Sequence, residues 1–141
     1  MKYAFATPEW FACLNGIAVE RAAAVGAKHP DVRFSMCEVF NNVPTSLSNT
    51  GRLAWHVVIR GTEVEFGTTE RDDVDLKYIA DFDAIRPLAH YDTQGSPERA
   101  AELGKLVADL TSRGLLKMSG SPSPGAALIG SFHDAIVRLT A

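Results

Sequence analysis

From Leu53 to Ile59, and again from Thr62 to Phe66, the side chains alternate. Leu53, Trp55, Val57 and Ile59 fall on one face of an extended chain, Gly61 interrupts, and Thr62, Val64 and Phe66 resume. Period two marks a strand. A glycine between two such runs supplies the positive φ that a tight hairpin turn demands. Glu63 and Glu65 fill the other face of the second run and are expected to meet water. A hairpin with one apolar and one charged face is not stable alone. The rest of the chain must therefore supply strands to extend it and helices to cover its apolar side.

Both are legible. Val32, Phe34 and Met36 alternate with Arg33 and Ser35, which predicts a strand running to Val39. The segment from Asn41 to Arg52, with Pro44 and Gly51, reads as a loop, and Thr68 to Asp73 as another. Val74 to Ile79 and Leu115 to Ser119 read as two further short strands. Three longer helices and one short one are predicted. The first has Thr7 as N-cap, Pro8 at its first position and a stripe of Trp10, Leu14, Ile17, Ala18 and Val25, stopped by Gly26 and His29-Pro30. The second opens on Ser96-Pro97-Glu98, carries Leu103, Leu106, Val107 and Leu110, and ends at Arg113-Gly114. The last carries Leu128, Phe132, Ala135, Ile136 and Leu139. Asp81 or Asp83 is placed to cap a further short helix through Ile85, Leu88 and Ala89, with Pro87 either inside it or marking a first turn instead. The fold class that follows is α+β: a twisted, mainly antiparallel sheet of about five strands with helices packed on one face.

Composition narrows the function by exclusion. The chain has 141 residues, 46% hydrophobic and 22% charged, an ordinary balance for one globular domain over residues 1–141. With 14 Lys+Arg against 17 Asp+Glu the net charge is -3, which excludes a nucleic-acid binder that works by bulk positive charge. No run reaches the ~18 apolar residues of a membrane span, and the first ten residues lack the apolar core of a signal peptide. Cys13 and Cys37 have neither CxxC nor zinc spacing and read as free thiols. A cytoplasmic protein is expected.

Chemistry-bearing motifs are few. His56, His90 and His133 are the candidate general bases if the chain is an enzyme, because imidazole titrates near neutrality. His133 and Asp134 are adjacent in sequence and so do not share a helix face. No H-x-x-x-H spacing supports a metal, the acidic run Glu70–Asp75 lacks the alternation of a calcium loop, and no glycine-rich phosphate or dinucleotide motif occurs. No cofactor is expected. Phe34, Met36, Trp55, Val57, Phe66, Met118 and Phe132 are the candidate lining of an apolar ligand site, since large aromatics leave gaps and methionine adapts to irregular guests. A solid core would use the same residue types, so the discriminating observation is whether a cavity exists.

The order of elements resembles the sterol-carrier-protein family of small lipid-binding domains. Arg113-Gly114-Leu115-Leu116-Lys117-Met118-Ser119-Gly120 is similar to that family's G-K-L-K-V-x-G-D strand, and Ala126-Ala127-Leu128 through Leu139 to the helix after it. Trp55-His56-Val57-Val58-Ile59-Arg60-Gly61 resembles the central strand and turn, and Val74-Asp75-Leu76 the A-D-V strand. The resemblance implies an apolar tunnel between sheet and helices that takes a sterol, fatty acid or acyl-CoA-like molecule as partner; it does not imply catalysis. A small isomerase, dehydratase or cyclase acting on a steroid- or polyketide-like substrate is the alternative. The sequence selects no oligomeric state; a homodimer through the Glu63/Glu65 face or a sheet edge stays open.

Overall fold

The computed structural model describes residues 1–141. Five strands form one sheet: β1 (Arg33–Asn41), β2 (Arg52–Arg60), β3 (Glu63–Gly67), β4 (Leu76–Asp81) and β5 (Leu116–Gly120). Their spatial order is β3-β2-β1-β4-β5. Three neighbouring pairs are antiparallel and β1–β4 is parallel, so the sheet is mainly antiparallel, as the alternation predicts. Helices α1 (Pro8–Lys28), α2 (Phe82–Ile85), α3 (Pro97–Ser112), α4 (Gly125–Ile129) and α5 (His133–Val137), with a 3-10 turn at Leu88–His90, complete the chain.

Local chemistry sets the ends of α1 and α3. The Trp10 amide donates to Thr7 Oγ1 at 3.3 Å, and the Arg99 amide donates to Ser96 Oγ at 3.3 Å. Each satisfies an amide that the first helical turn would leave orphaned. Gly114 then takes a φ of 72°, which suits a helix C-terminus.

Register decides which side chains meet the helices. Phe34 pairs with Ile59, Met36 with Val57, Glu38 with Trp55 and Phe40 with Leu53. On the other side of β1, Met36 pairs with Leu76, Glu38 with Tyr78 and Phe40 with Ala80. Opposed residues share a face, so all of these lie on one side of the sheet. The main core forms there, with Phe5, Trp10, Leu14, Phe40, Trp55, Ile59, Phe82 and Phe132 among its members.

Three sequence expectations change. Gly26 does not stop α1; it lies inside the helix, buried, where α1 meets the hairpin turn. The last helix is two short ones, because Gly130 at φ 78° breaks it between α4 and α5. As a result Leu128 is 47% exposed, and Ile129, Phe132, Ile136 and Val137 are the buried residues instead. Finally, β2 is buried on both faces: Ala54, His56 and Val58 are as hidden as their neighbours.

The cause of that second burial is the connection from β3 to β4, which must cross β2 and β1 to reach its place in the sheet. Residues 68–75 form a strap over this face. The His56 Nδ1–H donates to the Thr69 carbonyl at 2.8 Å, and the Arg71 amide donates to Cys37 Sγ at 3.4 Å. Cys37, Val39 and Ala54 make a small second core beneath it. The acidic run of this loop is exposed to water and laced by ion pairs. Glu70 accepts from Arg52 at 2.8 Å and from Lys77 at 2.5 Å, Lys77 also meets Asp72, and Arg71 bridges Glu65 and Asp73. The Arg71 guanidinium holds the Asp73 carboxyl down at about 2.

A Cβ on Gly26 would lie 2.3 Å from the Gly61 carbonyl carbon and oxygen. Both obstacles are backbone, so neither can swing aside. Gly26→Ala should therefore destabilise the protein by about 3 kcal/mol, the upper part of the overpacking range. Urea denaturation measures it, and a loss below about 0.5 kcal/mol, the size of an ordinary surface change, would contradict the close approach.

Candidate ligand-binding cavity

α1 lies against β2 and β3, while α2 packs on β4 and α3 on β5, with the 3-10 turn meeting α5. Between these two covers is a cavity of about 480 Å³ lined by 23 residues, 19 of them hydrophobic. That volume falls within the range of small-molecule sites. Its floor is the sheet. From β1 come Phe34, Met36, Glu38 and Phe40, alternate residues of one strand, which together span roughly 20 Å at the usual strand rise.

Aromatic rings wall both ends. At one end Phe5 meets Trp10 edge-on at 5.0 Å between centroids, Phe40 at 5.3 Å and Phe82 at 5.2 Å. Trp10 is locked there by its Nε1–H, which donates to Thr140 Oγ1 at 2.9 Å. At the other end Trp55 stacks between Phe66 at 5.8 Å and Phe132 at 6.3 Å, and Phe132 meets Phe34 at 6.1 Å. Rigid rings held from both sides keep the walls from collapsing into the space between them.

The outer wall is thinner. α3 buries only Leu110, yet Leu103 and Val107 line the cavity. Leu106, at 38% exposed, turns outward. The stripe expected to pack this helix therefore faces open space over part of its length.

The sequence-predicted lining divides by position. Phe34, Met36, Trp55 and Phe132 line the cavity. Val57 lies on the same sheet face, but α1 covers it and leaves it fully buried. Phe66 sits behind Trp55 as its stacking partner. Met118 shares the face by its pairing with Tyr78, but lies on the edge strand and is 58% exposed.

The three histidines scatter. His56 is on the strap side of the sheet. His90 is exposed, its Nε2 2.7 Å from the Ala141 carbonyl and its Nδ1 3.0 Å from that of Arg86. His133 alone reaches the cavity, and its Nε2–H donates to the Tyr91 carbonyl at 2.6 Å. None is hydrogen-bonded to an aspartate or glutamate side chain. Asp134, beside His133, instead accepts from the Thr93 amide at 3.0 Å and from the Thr93 hydroxyl. No cluster of three His, Cys, Asp or Glu side chains is placed to hold a metal.

Two polar residues that sequence reasoning passed over stand on the cavity floor: Glu38 and Tyr78. Glu38 is opposite Trp55 on one side and Tyr78 on the other. The Trp55 Nε1–H donates to Glu38 Oε1 at 2.9 Å. By surface area Glu38 is half-buried, and it lines the cavity, deep enough for desolvation to dominate its titration. Burial pushes its carboxyl above the usual carboxylate range, against the opposing pull of the indole N–H. Burial, with the nearby Glu38 charge, likewise raises the Tyr78 phenol. The signal was present in the sequence: an acid at an inward position of an otherwise apolar alternation, Phe34-Met36-Glu38-Phe40.

No protein-family model and no curated protein matches this chain. Among solved structures it is similar to a crystal structure of sterol carrier protein 2, with 11% identity over 96% of this chain and 95% of that one, and a TM-score of 0.49. It is also similar to a UbiJ-SCP2 ubiquinone synthesis protein, with 16% identity, 86% and 76% coverage and a TM-score of 0.38. A third is Sterol Carrier Protein 2 Like 2 from Aedes aegypti, with 17% identity, 78% and 87% coverage and a TM-score of 0.35.

A group that holds its proton more tightly when folded than when unfolded destabilises the fold as pH rises. For Glu38 that window opens at the ordinary glutamate value of about 4.3 and extends upward to its raised folded value. Glu38→Gln should therefore raise the melting temperature more at pH 8 than at pH 4. Equal shifts at both pH values, followed by circular dichroism, would show that Glu38 titrates normally.

Proposed function

We propose that this protein binds, and carries, a hydrophobic small molecule in the cavity between its sheet and helices. The observation that carries the reading is the cavity itself: about 480 Å³ of space walled by 19 hydrophobic residues and kept open by rings at each end. A sterol, a fatty chain or a similar lipid fits this chemistry. Each buried CH₂ is worth about 0.8 kcal/mol. About twelve methylenes then bring roughly 10 kcal/mol before rigid-body freedom is lost, which supports binding near the micromolar range. Solvation of the same apolar walls by water alone would cost what the ligand recovers.

No histidine–carboxylate pair faces the cavity, so the reading is of a carrier and not of a histidine-dependent isomerase or dehydratase.

Delipidated protein should bind a fluorescent fatty chain or sterol probe, and Trp55 emission should shift as the site fills. Leu103→Trp, on the thin outer wall, adds bulk inside the cavity and should weaken the probe about tenfold or more, with little change in melting temperature. Isothermal titration together with native mass spectrometry of freshly purified protein makes the measurement. A chain that binds no such probe and co-purifies with nothing would refute the reading.

A further inference from the structure

We propose that Glu38 and Tyr78 receive the polar end of the ligand, and that they select a neutral oxygen function, a hydroxyl or carbonyl, over a carboxylate. The inference rests on the carrier reading above and adds to it the orientation and chemical class of the guest.

The geometry comes first. Glu38 and Tyr78 are register partners on adjacent central strands, side by side on the cavity floor. Glu38 Oε1 is fixed by the Trp55 indole, which holds the carboxyl in one orientation. Oε2 has no hydrogen-bond partner in the protein, and neither has the Tyr78 hydroxyl, yet neither atom is sealed in the core. Two polar groups thus open on a space whose other walls are almost wholly apolar. A polar group in such surroundings is costly until it is paired. A ligand that brings one oxygen to this point satisfies both at once.

The sign of the selection follows from the rest of the lining. No lysine or arginine lines the cavity. Arg21, which lies over the ring of the lining residue Phe132, gives its Nη1–H to the Ile129 and Ser131 carbonyls. The basic side chain that does reach the wall, His133, is committed to the Tyr91 carbonyl. A ligand carboxylate at the floor would therefore find no counter-charge. It would sit against Glu38, where two like charges cannot both persist in an apolar site. A hydroxyl or carbonyl meets no such obstacle. A protonated Glu38 donates from Oε2 to a ligand carbonyl, and either protonation state accepts from a ligand hydroxyl. The raised Glu38 carboxyl agrees with this arrangement.

The test uses the full chain, delipidated, and three alkyl probes that share one fluorophore and one chain length. They end in a hydroxyl, a carboxylate or a plain methyl. At neutral pH the hydroxyl probe should bind at least about tenfold more tightly than the carboxylate probe, since one charge-assisted penalty of this kind is worth that much. Glu38→Gln keeps an acceptor for Trp55 and turns the free end into a neutral amide donor. It should tighten the carboxylate probe until the two agree within about threefold, a gain of binding that a damaged fold does not produce. Tyr78→Phe should weaken the hydroxyl probe and leave the methyl probe unchanged. Equal binding of hydroxyl and carboxylate probes by the unmodified protein, or an unchanged ratio in Glu38→Gln, would overturn the selection while the carrier reading survives. Failure of all three probes to bind the unmodified protein would overturn both.

Discussion

The close seat of α1 on the hairpin governs the rest of the structure. Gly26 meets Gly61 backbone to backbone, with no side chain between them. That contact fixes the longest helix over β2 and β3 and away from the other half of the sheet. Over that half only short or shallow elements remain: α2 has four residues, and α3 buries a single leucine. The two covers therefore stand apart, and the aromatic rings at each end prevent them from closing. A cavity is what is left when one side of a sheet is covered tightly and the other loosely.

Within that cavity the strand register sets the chemistry. Because side chains alternate, a slip of one residue along β1 would remove Phe34, Met36, Glu38 and Phe40 from the floor and present Ser35, Cys37 and Val39 in their place. The pairing with both β2 and β4 is what brings Trp55, Glu38 and Tyr78 into one row across three strands.

How much of this was readable beforehand depended on whether the cause was local. The caps at Thr7 and Ser96, the hairpin at Gly61 and the alternation on β1 and β2 depend on near neighbours, and the sequence displays them. The sheet class and the helices on one face follow from those patterns. What escaped was settled by distant contacts. Gly26 looked like a stop because glycine ends helices, but here it makes room for a backbone 35 residues away in a turn. The pairing of the Glu70–Asp75 run is only partly local: Arg71 meets Asp73 within it, but Arg52 and Lys77 on the sheet hold Glu70. Glu38 was overlooked because a single acid in an apolar alternation carries no motif. Val57 and Phe66 share every property with the lining residues except their position under α1 or behind Trp55.

The strap of residues 68–75 makes the two surfaces of the sheet respond to different solvent variables. Its lattice of arginine, lysine and carboxylate pairs lies mostly in water, so added electrolyte screens it. The opposite surface keeps its cavity walls together by ring contacts and excluded water, which electrolyte scarcely weakens. Ionic strength is thus a handle on the back of the molecule that leaves its greasy front almost untouched.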